Sequence, residues 1–482
     1  MFDFRPVGYL IGLLVALLGM TMVIPMLADL YAGNDHAGAF LEAMIITVLI
    51  GGMIALACAN AVSGGMRTQQ LFVLTTGVWV VLPIFGALPF MFGATGANIT
   101  DSYFESMSGL TTTGSTVFSG LDDLPVGLLL WRSMLQWFGG IGIIVVAMAF
   151  LPELRVGGMQ IFRSESFDTD GKVLPRAGEI ATRISVVYLV LTVSCGLAYL
   201  ASGMTLFDAI NLAMTTIATG GFSTHDMSFE IYQGQIELVA MVFMILASLP
   251  FVRYVQLLAG ATQPILSDSQ VRTFVGTLFV LILIVAGFRV VLVDHDFYVA
   301  FREAAFNLTS IMTGTGFSST DYQGWGGFPV AIFFFAGLIG GCAGSTCCSV
   351  KIFRYQLLFS SIANQIRRIH SPHGVYQLKY AGRSVSEDVI SSVMVFLTLF
   401  MVTLGVVAVL LSATGLDFIT SVSGAATAIA NVGPGLGDTI GPVGNFATLN
   451  DTAKWILLSA MLVGRLELLV VFVLFTSRFW RA

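Results

Sequence analysis

Charge is what this chain lacks first. Only 10% of its 482 residues are Asp, Glu, Lys or Arg, against about 25% in soluble domains, so no large water-facing domain is hidden in it. The five cysteines, at 58, 195, 342, 347 and 348, show neither metal-site nor paired spacing, and packing is the role expected of them. His370-Ser-Pro-His373 reads as a solvated loop pair rather than a metal site. No GxxxxGK string occurs. The strings Gly433-Pro-Gly-Leu-Gly437 and Gly314-Thr-Gly316 neither follow a strand nor open a βαβ unit, so neither reads as a nucleotide loop. No Ser/His/Asp or metal constellation sits at a common depth, which argues against an enzyme.

What the chain has instead is apolar length. Hydrophobic residues make up 56% of it, and the mean hydropathy is +0.88, as in an integral membrane protein. Ten runs have spanning length, about 8–30, 39–60, 71–93, 125–152, 182–202, 235–260, 273–293, 327–350, 389–412 and 453–477. Arg5 precedes the first of them, which is long enough to stay in the bilayer and lacks a convincing cleavage site.

Between these runs a short pattern recurs four times. A polar start leads into about twelve mostly small or apolar residues and then a glycine thirteen positions on: Asp101 to Gly114, Asp208 to Gly221, Glu303 to Gly316 and Thr420 to Gly433. Twelve helical residues reach about 18 Å and cannot cross a roughly 30 Å hydrocarbon core, so each segment enters and turns back. The expected fold is therefore all-α and membrane-integral, with ten transmembrane helices plus four re-entrant pore helices. Two leading helices (1–66) precede four helix–pore–helix units, at 67–156, 157–262, 263–358 and 359–482. An even number of crossings separates the re-entrant segments, so all four open on one membrane face.

Positive charge orients that arrangement. Arg5, Arg67, Arg155, Arg163, Lys172, Arg176, Arg183, Arg253, Arg272, Arg354, Arg367, Arg368, Lys379, Arg383, Arg478 and Arg481 fall on one side and only Arg132, Arg289, Arg302 and Lys454 towards the other. Both termini are thus expected in the cytoplasm. The opposite, re-entrant face carries Asp101, Glu105, Asp122, Asp123, Asp208, Asp226, Asp294 and Glu303 among others, and is expected to form an acidic vestibule that concentrates cations.

Four glycine-ended segments at membrane depth must meet around a cavity, because non-helical backbone is tolerated there only when buried in protein or lining water. Glycine lets carbonyls turn toward an axis, where they replace the water of a permeating ion. Two further features stand out. Arg465 lies in the apolar run 455–475, where an isolated guanidinium costs about 2.5–3.5 kcal/mol, so it must face a partner carboxylate or a wet cavity. Glu467, two positions on, points elsewhere on the same helix and is not an automatic partner. The stretch 336–349 carries Gly337, Gly340, Gly341 and Gly344 and should either unwind or pack closely against neighbouring helices.

These residues resemble the Trk/Ktr/HKT superfamily of potassium transporters, in particular its bacterial TrkH-type membrane subunits. The resemblance covers essentially the whole chain. It is carried by Thr-Thr-Thr-Gly114-Ser, Ala-Thr-Gly-Gly221-Phe-Ser, Thr-Gly-Thr-Gly316-Phe-Ser and Ala-Asn-Val-Gly433-Pro, with Gly-Leu-Ile-Gly-Gly-Cys-Ala-Gly-Ser-Thr346 and Gly464-Arg-Leu-Glu467. It implies a K⁺ filter formed by Thr112, Thr113, Gly114, Thr219, Gly220, Gly221, Gly314, Thr315, Gly316, Asn431, Val432 and Gly433. It also implies an intramembrane gating loop around Gly337, Gly340, Gly341 and Gly344, with Arg465 below the filter. Further implications are a homodimer in a bacterial cytoplasmic membrane, K⁺ as substrate, no covalent cofactor and no nucleic acid. A cytosolic TrkA-type nucleotide-binding (NAD or ATP) subunit would regulate it. The Thr-Val-Gly-Tyr-Gly string of true K⁺ channels is absent. A proton- or sodium-coupled symporter is the alternative, although such carriers normally show inverted repeats and midmembrane acids.

Overall fold

In a computed structural model, residues 3–61, 66–149, 157–159, 161, 177–261, 263–293, 296–372, 374 and 376–481 are described. Of the sequence expectations, those on Arg155, Arg163, Lys172, Arg176, Asp294 and His373 lie outside the described residues. Apart from a two-stranded antiparallel pair, Lys379–Tyr380 with Arg383–Ser384, every described element is helical.

Among the described residues, seven helices are long and apolar enough to span: Arg5–Ala32, Ala37–Cys58, Thr68–Phe92, Val126–Ala147, Ala181–Ala201, Ser269–Leu292 and Glu387–Ala413. An eighth counts if the pair Gln235–Ala247 and Phe251–Leu258, bent by 87°, is one span. The ten apolar runs are therefore not ten continuous helices. The bend falls at Ser248-Leu-Pro250, where proline both lacks an amide donor and biases the residue before it away from helix. Run 327–350 stops as helix at Ile339, and helix resumes at Ile352. Run 453–477 breaks after Arg465, where Glu467 (φ 60°) and Leu468 (φ 51°) take left-handed backbone before the helix Leu469–Leu474.

The four short segments form the helices Ile99–Leu110, Leu206–Ile217, Phe297–Met312 and Phe418–Ala430. Each opens on a side chain that accepts an orphan amide of the first turn: Asn98 from Asp101, Thr205 from Asp208, Asp296 from Tyr298 and Val299, and Asp417 from Thr420. Such a cap is typically worth about 1 kcal/mol and starts each helix at a defined residue. The two chain ends meet: Gln70 donates to the Asp3 carbonyl at 2.9 Å and Gln69 to the Phe479 carbonyl at 2.8 Å. Both ends of the chain thus lie on one side of the helix assembly, beside Arg67.

Candidate functional site

All four short helices run into the same backbone pattern. Two residues before the key glycine the chain turns left-handed, at Thr112 (φ 52°), Thr219 (49°), Gly314 (77°) and Asn431 (53°), and it does so again at Gly114 (84°), Gly221 (79°), Gly316 (86°) and Gly433 (93°). The amide between them returns to its own helix, from Thr113 to Ser108, Gly220 to Thr215 and Thr315 to Ser310 at 2.9 Å, and from Val432 to Thr427 at 3.1 Å. Left-handed backbone costs a residue with a Cβ about 1–3 kcal/mol and persists only where the surroundings over-determine it. Asn431 is held so: its amide donates to Thr113 Oγ1 at 2.8 Å and to the Met461 carbonyl at 3.1 Å.

The four turns close into a ring. A Cβ on Gly114 would overlap the carbonyl oxygen of Gly220, one on Gly221 that of Thr315, and one on Gly316 that of Val432, while one on Gly433 would lie 3.0 Å from the Thr113 oxygen. Each glycine therefore faces the carbonyl of the next unit, in the order first, second, third, fourth, first. All twelve residues expected of a filter are brought together here. With this ring as the K⁺ filter that the resemblance implies, Gly114→Ser is expected to lower the preference for K⁺ over Na⁺, because its Cβ displaces the Gly220 carbonyl at a left-handed position. Reversal potentials measure it, and an unchanged ratio with normal expression would remove Gly114 from the filter.

Above the ring lies a cavity of about 260 Å³ lined by all four glycines and by Arg132, His225 and Asp226. The acids on this side do not form the bare acidic funnel expected from sequence. Glu105 is buried and pairs with Arg132 at 2.8 Å, Glu303 with Arg289 at 2.7 Å and Asp101 with Lys454 at 2.6 Å. A buried carboxylate needs such a partner. Glu105 also accepts the Val117 amide at 2.9 Å, as Asn307 accepts that of Ser319 at 3.1 Å, each bracing the strand three residues beyond its own glycine. Asp122, outside the buried set, is hydrogen-bonded by His225, which holds its carboxyl below the usual range.

Below the ring, residues 340–351 form a wholly buried loop. Gly340 (φ 78°) and Gly344 (φ 73°) are left-handed, as are Ser349 and Lys351. Gly337, expected in the unwound stretch, instead remains in the last turn of Gly327–Ile339, where its carbonyl accepts the Ser349 hydroxyl at 2.7 Å. Ser349 also donates to the Ala430 carbonyl at the base of the fourth short helix, at 3.2 Å. The bent helix of the second unit holds the loop through Cys342 to Ser248 at 3.1 Å and Phe251 to Gly344 at 2.9 Å. Gly341 packs against Cys347, whose thiol lies 2.9 Å from the Ser248 hydroxyl.

Arg465 is buried and meets no carboxylate among the described residues. Its guanidinium contacts Cys348 Sγ at 2.6 Å and the Gly139 carbonyl at 3.0 Å, and faces the Trp79 ring at 5.3 Å. Cys348 belongs to the third unit and Gly139 to the first, which stand opposite each other around the ring. The Arg465 guanidinium thus bridges the first and third units. Glu467, weighed as a partner for Arg465, is bound elsewhere: it pairs with Lys351 at 2.7 Å and with Arg354. Lys351 and Arg354 are thus buried cations tied to the broken fourth-unit helix. Arg354 further donates to the Gly157 carbonyl at 3.0 Å and stacks on Phe396 at 3.6 Å. No local signal marks this triad, because its members lie 113 and 116 residues from Glu467.

Residues 36–481 match the family model of TrkH, described as a cation transport protein. The chain is 41% identical to the Trk system potassium uptake protein TrkI of Halomonas elongata over 480 residues, covering 99% of this chain and 97% of the relative. It is 37% identical to the Trk system potassium uptake protein TrkH of Escherichia coli K12 over 487 residues, 99% of each. The crystal structure of the potassium transporter TrkH from Vibrio parahaemolyticus superimposes over the full length of both chains, with a TM-score of 0.92 at 34% identity.

Proposed function

The chain belongs to the TrkH family of cation transport proteins, multi-pass membrane transporters and not enzymes, and we propose that it carries K⁺ into a bacterial cell through a pore between its four helix–pore–helix units. The observation that carries this reading is the closed ring in which Gly114, Gly221, Gly316 and Gly433 each face a carbonyl of the next unit. Oxygens at such spacing replace the hydration shell of a permeating cation. The filter is assigned to Thr112, Thr113, Gly114, Thr219, Gly220, Gly221, Gly314, Thr315, Gly316, Asn431, Val432 and Gly433. The pore helices end at this ring and aim the negative ends of their dipoles toward the ion. The buried loop 340–351 and Arg465 are its gate.

The same reading has ten crossings, broken ones included, four re-entrant helices, and both termini in the cytoplasm of a cytoplasmic-membrane protein. Shared placement of the two chain ends beside Arg67 supports that orientation. Uptake runs downhill in potential: an inside-negative membrane contributes about 2.3 kcal/mol per charge per 100 mV, enough alone for roughly fifty-fold accumulation. A homodimer regulated by a cytosolic TrkA-type nucleotide-binding subunit completes the proposal. Such a partner need shift the gate by only a few kcal/mol.

Flux into proteoliposomes at a clamped K⁺ gradient, with the pH and Na⁺ gradients varied independently, tests the proposal. Passive K⁺ entry that ignores both gradients is the expected result. Entry that follows the proton or sodium gradient would instead establish a coupled symporter. Nucleotide-responsive flux from the purified chain alone would remove the separate regulator.

A further inference from the structure

One of the four ring positions is built differently from the rest. The residue before the key glycine is Thr113, Thr315 or Val432 in the first, third and fourth units, but Gly220 in the second. In the first and third units that side chain is tied to its own turn, Thr113 to the Thr111 hydroxyl at 2.7 Å and Thr315 to the Thr313 hydroxyl at 2.8 Å. The second unit has no such tie, since the residue matching Thr111 and Thr313 is Ala218. A glycine peptide without a side-chain tie is the one most free to rotate its carbonyl away from the axis. Yet the Gly220 carbonyl is the one that faces Gly114.

A side chain from another unit occupies the vacant place. Gln136, fully buried on the helix Val126–Ala149, donates from Nε2 to the Gly220 carbonyl at 2.6 Å and accepts the Phe222 amide on Oε1 at 3.0 Å. Turning the carboxamide over would set donor against donor and acceptor against acceptor, so the two bonds together fix its orientation. A Cβ built on Gly220 would fall among the Gln136 carboxamide atoms, 2.8 Å from Nε2 and closer to the rest. One turn earlier on the same face, Arg132 donates to the Ser223 carbonyl at 2.8 Å, so the helix grips the second-unit strand at two successive points.

We infer that Gln136 is a positioning residue of the filter: its carboxamide stands in for the side chain that Gly220 lacks, and by clamping the peptides on either side of Gly221 it sets how strictly the ring discriminates between K⁺ and Na⁺. This rests on the filter reading above. Selectivity depends on the number and orientation of the carbonyl dipoles presented to the ion, and Gln136 controls one of the four at this level.

The test uses the full-length protein in proteoliposomes, with K⁺/Na⁺ reversal potentials as readout and total flux as control. Gln136→Leu, which keeps the volume and removes both bonds, lowers the K⁺/Na⁺ ratio by roughly three- to tenfold, the weight of one net hydrogen bond. Should that variant fail to assemble, Gln136→Asn, which keeps the amide but falls a methylene short, is read for the same drop. Gly220→Ser alone also lowers the ratio, because its Cβ meets the carboxamide. Combined with Gln136→Ala it regains selectivity over Gly220→Ser, since the space that the carboxamide filled is now free for the added side chain. Unchanged ratios in the Gln136 variants, a uniform loss of flux for both ions, or strictly additive losses in the double variant would each overturn the inference. A selective wild type with such variants leaves the filter reading standing, whereas a wild type without K⁺ preference removes both.

Discussion

Arg465→Ala is expected to raise K⁺ flux at least about tenfold, because on the proposed reading it removes a cation from the path below the filter. At about 6 Å and an effective dielectric of 20, the guanidinium repels a K⁺ by about 3 kcal/mol. No carboxylate among the described residues neutralises it, and its two polar contacts are the Cys348 sulfur and the Gly139 carbonyl. The substitution also unties the loop from the first-unit helix, so both the electrostatic barrier and the latch are lost together. Arg465→Lys separates the two effects. It keeps the charge but has one compact head where the guanidinium reaches two partners, so flux should stay near wild type if repulsion dominates and rise if the latch does. Rb⁺ or K⁺ uptake into proteoliposomes measures both variants. Flux unchanged in a well-assembled Arg465→Ala protein would take the residue out of the pathway.

Glu467→Ala should be the most destabilising single change around the buried loop below the ring. It strands Lys351 and Arg354, two buried cations that share this one carboxylate, and breaking such a set typically costs about 3–5 kcal/mol. The loss is read as a fall in the melting temperature of the detergent-solubilised protein. Replacing all three residues with apolar ones of similar volume should recover much of it, since a buried ion set and a well-packed apolar cluster are often close in free energy. The two results together distinguish loss of charge balance from loss of packing. A melting temperature untouched by Glu467→Ala would mean that the triad does not hold the loop to the fourth-unit helix.

The parts of this site that were legible in the sequence are those set by short-range physics. A cap such as Asn98 or Asp417, a helix too short to cross, and a glycine at a fixed offset are each written within about fifteen consecutive residues. Their four-fold recurrence is enough to mark the four turns that form the ring. The oddness of Arg465 was equally plain, because one guanidinium in an apolar run is costly wherever the chain folds. Its partners were not plain. Glu467 sits two residues away yet binds cations more than a hundred residues distant, and the break at Leu466–Leu468 that aims it there carries neither proline nor glycine.

Composition and periodicity by themselves therefore determined that the chain lives in a membrane, that four short segments turn back at glycines, and that one arginine needs a special environment. The tertiary structure alone decided which acids are neutralised, where three of the apolar runs break, and that Gln136 braces a carbonyl 84 residues further along the chain. The physical reason is the range of the forces involved. Backbone conformation and burial in lipid respond to neighbours along the sequence, whereas a buried charge or amide is satisfied by whatever partner the packing brings within about 3 Å, and one sequence does not say which partner that is.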